Sequence, residues 1–429
     1  MNTNSVLLLI LATLVLFLTS CNNRQEITQH NVARIISTLS SDDMKGRHAM
    51  SPDIKKAANF IAKEFTEIGL TPVYDDFRQT FTLYSITPAR SSVTLNGQNI
   101  EEHRYFSITN TDSLSFSLSD VSLKEISETD DFRESFNSYR HDNESSIIAV
   151  SKDHIDWFNR YRSYFSRANR TMEIDQKPND LFVISDAPIN SAKVEIVNNL
   201  DTMHLENIVG KIPGKNEDEI ILFSAHYDHL GIVNPVEEDS VVNGANDNAS
   251  GVAGVIELAR YFSNGQTPER TLYFVGFTAE ETGGFGSRYF SEHIEPDRIT
   301  AMINIEMIGK PAVEGENTAW ITGFDLTSFG QIFRKHSPDN FKFYADPYPN
   351  QNLFYRSDNA TLAEKGVPAH TISTTPIDVD QDYHQVSDEF STINITHTTN
   401  TIRAIAQVSE LLVSGEATPT RLPVKSVNK

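Results

Sequence analysis

The sequence predicts an α/β fold, in which helices flank a mainly parallel central sheet and a small β-rich segment is inserted. The first observation is a series of short apolar runs, rich in β-branched and aromatic residues, that are typical of buried strands. These runs lie at Ile220–Phe223, Thr271–Phe277, Ala301–Ile305 and Ala369–Ile372. The second observation is that helical patterns fall between and after them, at Val252–Phe262 and Ile402–Leu412. Strands that alternate with helices form parallel sheets covered on both faces.

Two helical patterns precede this alternation. Ile27–Leu39 places its apolar residues on one face. A second helix is predicted to begin at Ser51 as the N-cap, with Pro52 in its first turn, and to end at Gly69. Two strands are predicted to follow, at Phe77–Leu83 and Ser92–Leu95.

The residue composition and the hydrophobic pattern of the chain change between residues 88 and 199. Ser and Thr are frequent there, charges are scattered, and helical periodicity is poor. Short apolar runs at Ser146–Val150 and Leu181–Ile184 indicate strands, so we interpret this stretch as an inserted β-rich module. The predicted organisation is a signal segment at 1–20, the first part of the main domain at 21–87, the module at 88–199, the rest of the main domain at 200–415 and a polar tail at 416–429.

Composition restricts the function classes. The chain has 429 residues, of which 39% are hydrophobic and 22% charged, and these values are ordinary for a globular protein. Its net charge of -22 argues against a nucleic-acid partner, because nucleic-acid binding needs a basic face.

The N-terminal segment indicates export. Residues 6–18 are almost entirely apolar, too short to span a bilayer, and lead into Leu18-Thr-Ser-Cys21. This stretch resembles the lipobox of bacterial lipoproteins, which implies a lipid anchor at Cys21 in the cell envelope, at the outer membrane or in the periplasm. Residues 1–5 lack Lys and Arg, so a plain secretory signal with an incidental cysteine is the alternative. With a single cysteine, no internal disulfide forms.

Polar residues follow the ends of the predicted strands. His226 and Asp228 come just after Ile220–Phe223, and two residues apart on a strand they point to the same side. Ligands of open α/β sheets bind at the carboxyl ends of the strands, where loops converge. His226 and Asp228 are therefore candidates for metal binding and for its orientation.

Further candidates each have a plainer interpretation when taken singly. Asp247 lies in a Gly/Asn-rich turn, where it would cap the next helix. Glu280 and Glu281 follow a buried strand and could form a solvated loop edge, and His384 could be a solvated loop histidine. Glu306 differs, because a carboxylate within Ile-Asn-Ile-Glu-Met-Ile is costly to bury unless it binds something.

Together these residues supply histidines and carboxylates at one sheet edge. Zn²⁺ binds both His nitrogen and carboxylate oxygen. A shared carboxylate can hold two such ions about 3.5–4 Å apart, and the pair can activate a water molecule. A carboxylate that does not bind metal must then accept the proton of the water.

At this level of detail the chain resembles the co-catalytic zinc aminopeptidase family, which includes bacterial leucyl aminopeptidases, glutamate carboxypeptidase II and the glutaminyl cyclases. The matching motifs occur in family order between residues 205 and 390, and Met44-Lys-Gly-Arg47 with its following helix also fits. They are Asn207-Ile-Val-Gly-Lys-Ile-Pro-Gly214, His226-Tyr-Asp-His-Leu-Gly231, Gly244-Ala-Asn-Asp-Asn-Ala-Ser-Gly251, Ala279-Glu-Glu-Thr-Gly283, Asn304-Ile-Glu-Met-Ile-Gly309, Ser357-Asp358 with Gly366-Val-Pro368, and Asp382-Tyr-His384.

The resemblance implies a zinc-exopeptidase fold, two zinc ions per chain and a peptide substrate. It implies His226, Asp247 and Glu306 on one zinc ion. It places Glu281 and His384 on the other, with Asp247 bridging the two ions. Most members have Asp where this chain has the longer Glu306. The insertion stands where some relatives carry a protease-associated domain.

The remaining roles also come from the resemblance. Glu280 would be the general base, and Asp228 would orient His226. Tyr383 would donate a hydrogen bond to the developing oxyanion, and Arg356 would help to bind substrate.

The sequence is therefore interpreted as an exported, lipid-anchored metallopeptidase that removes N-terminal residues from peptides. One alternative is a glutaminyl cyclase on the same fold, which needs one zinc ion and no hydrolytic water. Another, from a different class, is a non-catalytic binding protein on a peptidase scaffold.

Overall fold

The structure is a computed structural model that describes residues 24–423, apart from residues 141, 143, 175 and 237. The predicted signal segment and Cys21 lie outside the described residues, as do residues 424–429 of the predicted tail. The chain forms two compact units. One consists of the residues up to Thr80 and from Glu206 onward, and the other is Phe81–Leu205.

The α-helices of the described residues are amphipathic segments distributed over both units. They are α1 (Gln29–Leu39), α2 (Ile54–Ile68), α3 (Phe132–Arg140), α4 (Ile155–Phe165), α5 (Gly251–Ser263), α6 (Phe285–Glu292), α7 (Phe329–Lys335), α8 (Asn359–Ala363) and α9 (Ile395–Val413).

The strands vary from two-residue bridges to long ribbons. In chain order they are β1 (Thr71–Pro72), β2 (Arg78–Leu95), β3 (Gln98–Asn99), β4 (Tyr105–Asn110), β5 (Ser113–Ser117), β6 (Ser122–Ile126), β7 (Ser146–Val150), β8 (Asn169–Thr171), β9 (Gln176–Ile184), β10 (Ala192–Ile212), β11 (Asn216–His226), β12 (Gly231–Val236), β13 (Asp239–Val242), β14 (Arg270–Phe277), β15 (Ile299–Ile305), β16 (Thr318–Ile321), β17 (Lys342–Ala345) and β18 (Ala369–Ser373).

The first unit is built on a sheet with the strand order β17-β16-β18-β15-β11-β14-β10, in which β10 contributes its carboxyl-terminal part. The four central strands β18, β15, β11 and β14 run parallel to one another. Antiparallel pairing occurs between β14 and β10 and between β18 and β16. The predicted mainly parallel sheet is therefore confirmed.

Helices cover both faces of this sheet. On one face Phe223 of β11 stacks against Phe262 of α5, with ring centroids 5.7 Å apart. On the other face Phe277 of β14 meets Phe290 of α6 edge to face at 5.5 Å. Burial on both faces explains why the central strands are continuous apolar runs instead of alternating patterns.

Two predicted element boundaries were wrong. Helix α2 begins at Ile54 with Asp53 as N-cap, because the Ser51 hydroxyl accepts a hydrogen bond from the Asp53 amide within a preceding turn. It ends, as predicted, at Gly69, which adopts a left-handed conformation. The two strands predicted near residues 77–95 are one strand, β2, which pairs with β8 at residues 84–86, just beyond the end of the first predicted strand.

The second unit, Phe81–Leu205, has its own core. Its four-stranded sheet has the order β4-β9-β7-β6 and combines parallel with antiparallel pairs. Helices α3 and α4 pack on one face, where Phe136 stacks on Phe182 with ring centroids 4.9 Å apart.

Within residues 24–423, no helix combines the length and the apolar character that crossing a membrane requires.

Candidate metal centre

The candidate residues of the first unit come together at the carboxyl ends of three parallel strands. His226 is the last residue of β11, Glu280 and Glu281 lie in the turn after β14, and Glu306 directly follows β15. Asp247 lies in a π-helical turn at residues 245–250, which leads into α5. Parallel strands thus deliver residues distant in sequence to one sheet edge, as expected.

Arg47 fixes two of the loops that carry these residues. It is fully buried, and its guanidinium donates hydrogen bonds to backbone carbonyls. Nε lies 2.8 Å from the carbonyl oxygen of Tyr227, and Nη2 lies 2.9 Å from that of Gly244. Nη1 lies 2.6 Å from the carbonyl oxygen of Leu39 and 2.5 Å from that of Asn243. Burial lowers the pKa of Arg47 to about 10, so it stays charged at neutral pH.

Two buried carboxylates position the loop backbones from behind. Asp388 accepts hydrogen bonds from the amides of Asn246 at 2.9 Å and Asp247 at 3.0 Å. Asp228 accepts from the amides of Glu280 at 3.1 Å and Glu281 at 3.3 Å. The backbone of each acidic turn is therefore held by a further buried acid that does not line the cleft.

The first group of metal-type donors consists of His226, Asp247 and Glu306. One donor atom from each lies within 4.8 Å of the other two. His226 Nε2 is 3.3 Å from Asp247 Oδ1, and both atoms are buried without a hydrogen-bond partner among the described residues. Glu306 accepts a hydrogen bond from the Ser357 hydroxyl.

The second group surrounds the other oxygen of Asp247. His384 Nε2 lies 3.3 Å from Asp247 Oδ2 and 3.3 Å from Glu281 Oε2. The carboxylate of Asp247 therefore presents Oδ1 to His226 and Oδ2 to His384. This is the arrangement that a carboxylate bridging two ions requires.

Asp228 differs from the sequence expectation. Its carboxylate oxygen lies 3.9 Å from His226 Nδ1, whereas its backbone carbonyl oxygen lies at 3.1 Å. The backbone carbonyl, and not the side chain, therefore makes the hydrogen bond that orients His226. The carboxylate supports the turn of Glu280 and Glu281 instead.

The acidic side chains differ in their proton affinity. Burial raises the pKa of Glu280 well above its ordinary value, and the nearby carboxylates add to this effect against the opposing influence of His226. Burial likewise raises the pKa of Glu306 to about 7. Burial acts in the same direction on Asp247, but the neighbouring imidazoles of His226 and His384 hold its pKa well below the usual range.

A cleft opens above these groups. Tyr383 and Arg356, both predicted from the sequence, line it. Tyr383 stacks on His384 with ring centroids 3.9 Å apart, and the guanidinium of Arg356 is exposed, 3.5 Å from Gln351 Oε1. An apolar wall, which the sequence analysis missed, completes the lining: Met307, Trp320, Leu353 and Ile377.

His229 was also missed. It lies in the same motif as His226, is fully buried, and places Nδ1 2.8 Å from Glu281 Oε1. Its only sequence signal was a second imidazole one residue after Asp228, in a segment already assigned to the site.

Comparisons with known proteins agree with this geometry. Residues 207–409 match the sequence model of peptidase family M28. A vacuolar membrane protease of Schizosaccharomyces pombe is 32% identical over 151 residues, which are 34% of this chain and 16% of that protein. A probable leucine aminopeptidase 2 of Trichophyton verrucosum is 26% identical over 265 residues, which are 54% of this chain and 51% of that protein. The chain thus spans about half or less of these curated relatives.

A solved structure shares the fold. The aminopeptidase of Aneurinibacillus sp. strain AM-1 superimposes with a TM-score of 0.54 at 18% identity, covering 94% of this chain and 97% of that one. The motifs predicted from the sequence, the sheet edge at which they meet and the family match agree. Residues 207–409 of this chain therefore match peptidase family M28 in sequence, in the part of the chain that carries the candidate metal centre.

Proposed function

We propose that this protein is a zinc-dependent aminopeptidase that hydrolyses the first peptide bond of its substrates with two zinc ions. The observation that carries the proposal is the carboxylate of Asp247, whose two oxygens face two separate groups of donors. The match of residues 207–409 to a peptidase family supports the reaction class.

The donor set suits zinc. His226, Asp247 and Glu306 would hold one ion, and Asp247, Glu281 and His384 the other. Acidic side chains buried this closely repel one another unless cations neutralise them. When bound, a pair of zinc ions supplies Lewis-acid polarisation of the substrate carbonyl and a water of lowered pKa.

Glu280 is the proposed general base. It lines the cleft without belonging to either donor group, and its raised pKa suits a group that accepts a proton near neutral pH. The Asp228 carboxylate fixes its backbone. Tyr383 is the proposed hydrogen-bond donor to the oxyanion, and Arg356, at the mouth of the cleft, is proposed to contact the substrate backbone.

The lining of the cleft favours unblocked peptides with an apolar first residue. A positively charged N-terminal amine is complementary to the surrounding carboxylates. The wall formed by Trp320, Leu353 and Ile377 would take an apolar side chain. The name of the Trichophyton relative, a leucine aminopeptidase, is consistent with this preference.

The test compares Glu280→Gln with wild type, using metal analysis and a panel of aminoacyl substrates with N-acetylated counterparts. We expect Glu280→Gln to keep both zinc ions and to lose about 10²–10⁴-fold in kcat, because it removes a base and no ligand. The exposed pair partner Glu67 provides a matched control, and Glu67→Gln should keep full activity. A Glu280→Gln enzyme with half of the wild-type kcat would exclude Glu280 as the base.

A second variant tests the metal count. Glu306→Ala should lower both zinc content and hydrolysis, since it removes a ligand of the first site. Wild-type protein with one tightly bound zinc ion that converts N-terminal glutamine to pyroglutamate would instead be a glutaminyl cyclase. Wild-type protein that binds no zinc and cleaves none of the panel would favour a binding function.

We also propose that the protein is exported and anchored by lipid at Cys21, on the basis of the apolar segment that precedes this residue. The wild-type precursor should then fractionate with membranes, and Cys21→Ala should not, because stable anchoring depends on the attached acyl chains. Equal membrane recovery of both forms would contradict the anchor.

A further inference from the structure

His229 contacts the second group of donors but has no role in the proposed hydrolysis. Its imidazole is fully buried, with Nδ1 2.8 Å from Glu281 Oε1 and 4.0 Å from Asp247 Oδ2. The first distance is that of a hydrogen bond, and the second is too long for one.

The two oxygens of Glu281 are divided between two imidazoles. Oε1 meets His229 Nδ1, while Oε2 lies 3.3 Å from His384 Nε2. His384 Nε2 is also 3.3 Å from Asp247 Oδ2, so this imidazole nitrogen lies equally close to one oxygen of each carboxylate. Oε1 of Glu281 is bound instead by His229.

The hydrogen bond determines the tautomer of His229. An ionised carboxylate only accepts hydrogen bonds, so Nδ1 of His229 must carry the hydrogen. Nε2 of the same ring is buried and has no hydrogen-bond partner among the described residues. A hydrogen on Nε2 would therefore be unsatisfied, which favours the tautomer with its hydrogen on Nδ1. A protonated Nδ1 has no lone pair for a metal.

The surrounding backbone holds the ring in place. The His229 amide donates to the carbonyl of Arg47 at 3.1 Å. The ring packs against Gly244, where a Cβ atom would lie 2.5 Å from Cδ2 of His229, so only glycine leaves room for the imidazole. On a third side it meets the His384 ring edge to face, with centroids 5.8 Å apart.

From these contacts we propose that His229 is a positioning residue, whose Nδ1–H holds Glu281 so that only Oε2 is presented to the second zinc ion. The inference rests on the proposed function, because it assigns a part of that same site. The competing role is that of a ligand, since donor atoms of His229, Asp247 and Glu281 lie within 4.8 Å of one another. The 2.8 Å contact with Glu281 and the equidistant placement of His384 Nε2 favour positioning.

The test measures zinc affinity by competition with a chromogenic chelator, together with the zinc-to-protein ratio at saturation. In His229→Ala the ratio should stay at the wild-type value, while the affinity of one site falls about 10–100-fold, the usual effect of removing a hydrogen bond to a metal ligand. His229→Asn, whose amide group can donate from near the position of Nδ1, should stay within about threefold of wild type.

Two outcomes would overturn the proposal. Unchanged affinity in His229→Ala would show that the hydrogen bond does not position Glu281. Loss of one zinc ion at saturation in both His229→Ala and His229→Asn would show that His229 is a ligand. Should the alanine variant not fold, as judged by thermal unfolding of the zinc-free proteins, His229→Gln replaces it, because its longer amide moves the donor away from Glu281.

A matched control separates a local effect from a general effect of removing a buried imidazole. His397 is buried in the same unit, where its Nδ1 accepts a hydrogen bond from the Asn317 amide. His397→Asn should leave both zinc affinities unchanged. Wild-type protein that binds no zinc would refute the proposed function itself, whereas two bound ions with unaffected variants would refute only the role of His229.

Discussion

Replacing Arg47 should destabilise the protein more than its distance from the cleft suggests. The guanidinium satisfies the carbonyls of Leu39, Tyr227, Asn243 and Gly244 from a fully buried position. In Arg47→Met the side chain keeps a similar length but has no donor, so each of these buried carbonyls would lose a hydrogen bond, although that of Gly244 also accepts one from the Ala249 amide.

The magnitude follows from two opposing contributions. A hydrogen bond to a charged group contributes about 1.5–3 kcal/mol net, so the full set amounts to roughly 6–12 kcal/mol. Removing the buried charge recovers several kcal/mol of desolvation cost, which leaves about 3–5 kcal/mol. In a domain of this size such a loss lowers Tm by about 10 °C.

Thermal and denaturant unfolding of the zinc-loaded proteins would check this value. Arg334 is a matched control in the same unit, because it is exposed and stacks on Phe324 without an ion pair. Arg334→Met should cost no more than about 1 kcal/mol. A Tm of Arg47→Met within about 2 °C of wild type would refute the argument that Arg47 is needed to satisfy these carbonyls.

Further predictions concern a buried histidine and a close glycine contact. Burial lowers the pKa of His397 from 6.5 to about 4. The folded state therefore binds a proton at this site less readily than the unfolded state, and the free energy of unfolding falls as the pH falls from 6.5 towards 4. The loss is at most about 3 kcal/mol. Denaturant unfolding at pH 7 and pH 4.5 should therefore show a smaller acid loss for His397→Gln than for wild type, and equal losses would contradict the shift. Gly286→Ala would bring a Cβ atom to 2.2 Å from the carbonyl oxygen of Thr278, and we expect about 1–3 kcal/mol lower stability and weaker zinc binding through the adjacent acidic turn. Gly254→Ala, whose Cβ atom would meet only a side chain at 3.2 Å, should cost clearly less, and equal stabilities would contradict the close contact.

The sequence allowed the central sheet and most of the candidate site to be predicted for one physical reason. A parallel strand buried on both faces must be continuously apolar, so the polar residue that ends it, such as His226 or Glu306, is conspicuous. The edge of the sheet then brings these ends together whatever their separation along the chain. Pattern and topology sufficed for the candidates that follow a strand or open a helix, whereas Arg356, Tyr383 and His384 lie in loops and received their roles from the family resemblance.

What the sequence did not reveal depends on contacts between distant segments. Trp320 and Leu353 are residue types that usually lie in a hydrophobic core, and only the folded chain shows that they line the cleft. Arg47 belonged to a recognised motif, but its carbonyl partners lie up to 197 positions away. Asp228 was assigned to His226 because a strand was assumed to continue beyond residue 226, whereas β11 ends there and the side chain turns to another loop.

The shared carboxylate of Asp247 has a thermodynamic consequence for the proposed zinc ions. Oδ1 and Oδ2 belong to one delocalised anion, so negative charge drawn towards the first ion is no longer fully available to the second. The second ion is also repelled by the positive charge of the first. The two binding constants therefore cannot be independent, and occupancy should show negative cooperativity, with one ion retained and one exchangeable. An enzyme built on this carboxylate would have its active fraction set by the free zinc concentration of its compartment.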